Sequence, residues 1–227
     1  MRTLTGRMAS SLAATDEGPV TDRRVRAYIG LGANVGDAEA TLVAAVRALT
    51  TSPAMRIRGV SRLYATAPVG VTDQADFHNA VVALDVPAGP DPATGALGLL
   101  TTLKVLERRF GRRDRGRWGP RELDLDLLVF GRGRIAVERP PSARSIEADV
   151  DPAKPSKLLE VPHRAAAARL FVLAPLADLA PRLVPPGWGC TVDTARRRQV
   201  RLEGPDAVRV VGEWDAALEA WRPTRQR

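Results

Sequence analysis

Arg117-Trp118-Gly119-Pro120-Arg121-Glu122-Leu123-Asp124-Leu125-Asp126-Leu127-Leu128-Val129-Phe130-Gly131 decides how this chain is read. The stretch opens as a basic turn stiffened by proline and closes as a strand. Apolar and acidic residues alternate from Leu123. Successive side chains of a strand point to opposite faces, so Leu123, Leu125, Leu127 and Val129 share one face and Asp124 and Asp126 the other. Leu128 and Phe130 continue that second face as apolar residues, so the strand enters a core on both sides. Aspartate is a poor strand former. Two on one face, beside buried leucines, repel each other and lose hydration unless something positive sits between them. A hard cation fits, because magnesium is held by one or two carboxylates while water and substrate phosphates fill the remaining positions. Arg117 and Arg121 would hold phosphate oxygens, and Trp118 would pack on a ring. The plain alternative is an edge strand with both carboxylates in solvent; the arginines and the Trp-Gly-Pro turn weigh against it.

Around this stretch lie 227 residues, 44% of them hydrophobic, enough for one sizeable core and a single domain. The formal net charge is +8 with two histidines, a balance that suits anionic small molecules, nucleic acid or a membrane surface. An arginine-rich genome would give the same balance. The charge is uneven: residues 104–121 carry eight Lys or Arg against two acids, just ahead of the Asp pair. Cys190 is alone, which excludes an intrachain disulfide or a cysteine metal cluster and fits a reducing cytoplasm. Residues 1–24 lack the apolar centre of a signal peptide and are expected to be a flexible extension; no run approaches a membrane span.

Outward from the Asp pair, residues 26–37 read as a strand, a glycine loop and a helix start. Asp37 is a good N-cap, and Leu42, Val46 and Leu49 follow as a stripe. The glycine spacing is not that of a dinucleotide loop, and no acidic residue ends a second strand about twenty residues on. Residues 57–64 read as a second strand, 65–76 as a polar loop and 77–84 as a third strand. Asp91-Pro92 starts a helix whose stripe is Leu99, Leu103, Leu106 and Phe110. Gly111 and Gly116 loosen an arginine-rich loop over 110–117. Residues 139–157, with four prolines, read as an irregular insertion. Further on, 207–211 reads as a strand and 214–221 as a short helix.

Three motifs carry a family resemblance: Gly32-Ala33-Asn34-Val35-Gly36-Asp37, the signature over 117–127, and Val161-Pro162-His163 followed by Arg169, Phe171, Val172 and Leu173. Over residues 26–183 the chain resembles 6-hydroxymethyl-7,8-dihydropterin pyrophosphokinases of folate biosynthesis. The resemblance implies an α+β fold: a four-stranded antiparallel ferredoxin-like sheet with helices packed on it, in one domain over 25–183, followed by a C-terminal extension over 184–227. It implies transfer of pyrophosphate from ATP to the hydroxymethyl group of the dihydropterin, with release of AMP. Asp124 and Asp126 would hold two magnesium ions. Arg112, Arg117, Trp118, Arg121, Leu127, His163 and Arg169 would meet ATP, with Arg112 and Arg121 also catalytic. Thr66, Ala67, Val69, Phe77, Asn79, Trp118 and Phe171 would hold the pterin. Arg164 stands where some members have tyrosine, and Arg113 or Arg115 supplies a middle loop arginine. Glu107 matches a glutamate that orders basic neighbours; a solvated helix carboxylate is its alternative. The protein is expected to be a monomer without nucleic-acid or membrane partners. The rival reading is a basic RNA-binding module on a similar sheet. Against it stand an aromatic content of 4% and the lack of an aromatic cluster of the kind such sheets use.

Overall fold

Local capping signals fix where the helices begin. The computed structural model of the chain describes residues 23–68, 73–112, 119–140 and 157–224. Asp37 caps α1 (Ala38–Thr50), its carboxylate accepting the Ala40 amide at 2.9 Å. Asp91 caps α2 (Pro92–Arg109) by accepting the Ala93 and Thr94 amides. Two further helices, α3 (Leu170–Leu179) and α4 (Val192–Glu203), follow late in the chain.

The strands are β1 (Arg24–Ala33), β2 (Arg56–Val60), β3 (Leu63–Thr66), β4 (Phe77–Pro87), β5 (Asp124–Phe130), β6 (Ile135–Glu138), β7 (Lys157–Val161), β8 (Arg209–Asp215) and β9 (Ala220–Pro223). The main sheet runs β5-β1-β4-β3-β8-β9 with β2 also on β4, and its described pairs are antiparallel. A separate ribbon joins β6 to β7. The expected strand over 57–64 is thus broken in two. Ser61 interrupts it: its Oγ accepts the Val81 amide and its own amide donates to the Val81 carbonyl, both at 2.9 Å.

The sheet is wider than the four strands the resemblance implied, because β8 and β9 extend it past β3. The segment expected as a helix over 214–221 is the turn of that hairpin. Trp214 and Trp221 face each other across it with ring centroids 4.8 Å apart. The Asp215 carboxylate accepts the Ala217 and Leu218 amides and closes the turn. A cross-strand aromatic pair and a side-chain-closed turn outweigh a weak helical spacing.

Helices α1 and α2 cover one face of the sheet, and α3 and α4 the other. A bulge in β5 decides which side chains reach which layer. Leu127 pairs with Ile29 and Val129 with Tyr28, which leaves Leu128 as the extra residue. Before it the alternation holds: Leu123, Leu125 and Leu127 lie in the core under α1 and α2. Past it the faces exchange. Val129 joins Leu128 on the α3 side and Phe130 turns to the other, the reverse of the simple alternation expected for both. Asp178 of α3 accepts from Arg62 and from the Tyr64 hydroxyl, tying this helix to β3. Among the described residues no helix is long and apolar enough to cross a membrane. Most of the expected N-terminal extension and of the expected insertion lies outside the described residues; Arg24, expected in that extension, already pairs with Pro87 as the first residue of β1.

Candidate active site

The pairing of three strands sets one row of residues across the sheet. Asp124 sits opposite Gly32, and Gly32 opposite Asn79; one step along, Asp126 sits opposite Gly30, and Gly30 opposite Val81. All lie on the face that carries α3. The two glycines leave that face flat. A Cβ on Gly32 would come within 3.4 Å of Asn79 Oδ1, and one on Gly30 within 3.4 Å of Leu128. Above this floor is a cavity of about 250 Å³ lined by Thr66, Ala67, Phe77, Arg121, Arg169 and Phe171, with Asn79, Asp124 and Asp126. That is below the roughly 300–1,000 Å³ of pockets for drug-sized ligands. It suits one ring system, so a nucleotide would have to spread over the neighbouring edge.

At the acidic end, Asp126 is half-buried, and burial together with the Asp124 charge raises its pKa, with His163 and Lys104 opposing. Asp124 is shared with Arg112, whose Nη1 lies 2.8 Å from Asp124 Oδ1 and also bonds Glu107. Burial works against the Arg112 charge, but Asp124 and Glu107 raise its pKa on balance. Glu107 is 2% exposed, which rules out the solvated helix carboxylate. Its Oε1 accepts Lys104 Nζ at 2.7 Å and the Leu125 amide at 2.8 Å. It therefore orders two basic side chains and the strand that carries the aspartates. Among the described residues no group of three metal-ligating side chains occurs. Two carboxylates on one face, mutually repelling and open to a cavity, nevertheless fit a cation whose other ligands are substrate oxygens and water.

At the opposite end, Asn79 Nδ2 donates to Thr66 Oγ1 at 2.9 Å, and Oδ1 is directed over Gly32. Phe77 and Phe171 supply apolar walls, and the Arg169 guanidinium stands 5.6 Å from the Phe171 ring centroid. Asn34, quoted in the sequence motif without a role, is a clamp. Its Oδ1 accepts the Arg121 amide at 2.7 Å, its backbone N–H donates to the Arg121 carbonyl at 3.0 Å, and Nδ2 donates to Gln74 Oε1 and the Ala75 carbonyl. One buried amide thus binds the start of the signature strand to the loop before Phe77. Sequence reasoning also missed Lys104, whose spacing of three from Glu107 on one helix was the available signal.

Three expected nucleotide contacts do not line the cavity: Arg112, held by Asp124 and Glu107, together with His163 and Leu127. His163 follows β7, its amide on the Leu128 carbonyl at 2.8 Å; Nδ1 accepts the Ala165 amide at 3.4 Å, which leaves Nε2 to carry the proton. The Leu127 side chain is 3% exposed in the core beneath α1 and α2, so it cannot reach a ligand on the other face. Its main chain is placed differently. The Leu125 amide and carbonyl point off the open edge of β5, where Glu107 and Lys104 meet them. Leu127, two residues on, presents its own to the same edge. Arg164 is exposed. Val69, Arg113, Arg115, Arg117 and Trp118 lie outside the described residues.

The model for the family 7,8-dihydro-6-hydroxymethylpterin-pyrophosphokinase (HPPK) matches residues 28–181, a span that holds the second half of β1, the paired aspartates, His163 and α3. The chain is 37% identical over 185 residues to the 2-amino-4-hydroxy-6-hydroxymethyldihydropteridine pyrophosphokinase of Methylorubrum extorquens, covering 82% of this chain and 98% of that protein. It is 39% identical over 153 residues to the enzyme of that name from Bacillus subtilis, covering 67% and 77%. Among solved structures it superposes on Plasmodium falciparum HPPK-DHPS, wild type with pteroate, with a TM-score of 0.63 at 14% identity, over 90% of this chain. That likeness shows a shared fold, and this chain spans about half of the Plasmodium chain, 48% of it. A family match that runs through both walls and the acidic floor of the cavity settles the kinship: the chain belongs to the 7,8-dihydro-6-hydroxymethylpterin-pyrophosphokinase family.

Proposed function

We infer that the chain transfers pyrophosphate from ATP to the hydroxymethyl group of 6-hydroxymethyl-7,8-dihydropterin, with AMP as the second product. The observation that carries this reading is the single row Asp124–Gly32–Asn79 on one sheet face. It sets an acidic end for metal and phosphate two strands from a polar amide that can address a flat ring. The pterin would lie on the glycine floor between Phe77 and Phe171, Asn79 meeting its edge and Thr66 holding Asn79 in place. Asp124 and Asp126 would hold magnesium, two ions in the fullest form of the reading. Bound there, the metal would neutralise phosphate charge and polarise the attacked phosphorus.

The remaining work falls to the chain's own residues. The triphosphate would run along the β5 edge, with Arg121 and Arg169 reaching it from the cavity side and His163 Nε2 donating from the other. Arg112 would exchange Asp124 for a phosphate oxygen when nucleotide arrives, freeing the carboxylate. The amide and carbonyl of Leu127 would face the nucleotide base. The hydroxymethyl oxygen attacks the β-phosphorus; the bond from that phosphorus to the oxygen bridging the α-phosphorus breaks; AMP leaves with that oxygen, and the hydroxyl proton passes to solvent. Catalysis is then alignment and charge neutralisation. The proposal includes a monomer working in the cytoplasm, where ATP is supplied. The test is a product analysis with ATP, magnesium and the dihydropterin. Equal amounts of AMP and pterin diphosphate support the reading, and ADP with pterin monophosphate refutes it.

A further inference from the structure

Arg169 stands at the N-cap of α3 with extended backbone, and its side chain makes no capping hydrogen bond. An arginine is badly suited to that place. It has no acceptor for the orphan amides of the first turn, and its charge sits at the positive end of the helix dipole. The missing acceptor comes from α4, which lies beyond the residues that the family model matches. Glu203 Oε1 accepts the Leu170 amide at 3.0 Å, and Gln199 Nε2 donates to the same oxygen at 2.7 Å, holding the carboxylate in place. Leu170 is 1% exposed and packs beside Tyr64 and Ala174, so it anchors the turn from its side-chain end as Glu203 does from its amide. Arg169 and Phe171 flank it on either side, and both line the cavity.

We propose that Glu203 is a positioning residue: a cap supplied from α4 that gives the α3 amide an acceptor and the helix start a negative charge, so that an arginine can stand there and face an anionic substrate. The proposal rests on the reading of Arg169 and Phe171 as substrate contacts. Loss of the cap should loosen Leu170 and misplace the residues on either side of it.

The test uses the full chain with Glu203→Ala, Glu203→Gln, Arg169→Ala and the Arg169/Glu203 double variant. Glu203→Ala should raise the KM for ATP about five-fold, the size of effect a lost cap gives, with kcat changed less than about two-fold. Amide exchange at Leu170 should accelerate, and Glu203→Gln, which keeps an acceptor, should lie between wild type and Ala in both readouts. Adding Glu203→Ala to Arg169→Ala should raise the KM no further, because the effect passes through Arg169. A lowered melting temperature with unchanged KM and a protected Leu170 amide overturns the proposal and leaves Glu203 a brace. If Arg169→Ala itself leaves ATP binding intact, the site reading beneath fails, and Leu170 exchange in Glu203→Ala still decides the cap.

Discussion

Replacing Asp126 with Asn separates a metal-binding pair from a structural one, because the two readings predict opposite signs for stability and activity. Two carboxylates two residues apart on a strand are about 7 Å apart, which at an effective dielectric of about 20 gives a repulsion of about 2 kcal/mol. Arg112, 2.8 Å from Asp124, offsets part of it, and partial exposure screens more, so the expected gain is about 1 kcal/mol. In a chain of this length that is about 3 °C in melting temperature. The pH dependence has a fixed sign. The folded-state pKa of Asp126 is raised by burial and by Asp124, so its protonated form favours the fold at low pH, and that contribution is lost as pH rises through the raised value. The advantage of Asp126→Asn without metal should therefore vanish at about pH 4 and be complete above the raised pKa. Asp124→Asn should show no such gain, since it also loses the Arg112 ion pair. Both variants should lose about 10²–10³ in turnover. The assay is thermal unfolding across pH alongside AMP release at several magnesium concentrations. Near-normal turnover in Asp126→Asn, or a lower melting temperature at high pH, refutes the reasoning.

Three further outcomes follow from the geometry. Asn79→Ala should weaken pterin binding by about 1–3 kcal/mol and leave ATP binding unchanged, since it strips the amide from the ring end of the cavity; calorimetry with each ligand separately decides this. Glu107→Ala leaves Lys104, Arg112 and the Leu125 amide without their shared acceptor and should cost about 3–5 kcal/mol of stability in urea unfolding, whereas a cost near zero would mean that this carboxylate is dispensable. Gly32→Val places branched carbons on the flat floor beside Asn79 Oδ1; the KM for the pterin should rise about ten-fold or more while folding survives, and an unchanged KM would move the ring elsewhere.

Some of this molecule could be read from the chain as a string of residues. The Leu-Asp alternation from 123 to 127 fixes two carboxylates on one face, because a strand has a period of two whatever its partners are. Asp37 and Asp91 announce their helices because capping is local, within three residues. The three motifs name the family because their residue types are spaced by the site itself. What escaped has a common cause: it depends on partners far along the chain. The bulge at Leu128, which exchanges the faces of Val129 and Phe130, exists only in register against Tyr28 and Ile29. Ser61 breaks a strand by engaging Val81. Trp214 and Trp221 have a spacing that a helix or a hairpin can accept, and the sheet edge offered by β3 decides for the hairpin. The same holds for the clamp at Asn34 and the cap from Glu203. Each is a polar side chain whose meaning is its partner, and a hydrogen bond across 33 or 87 positions leaves no periodic mark in the sequence.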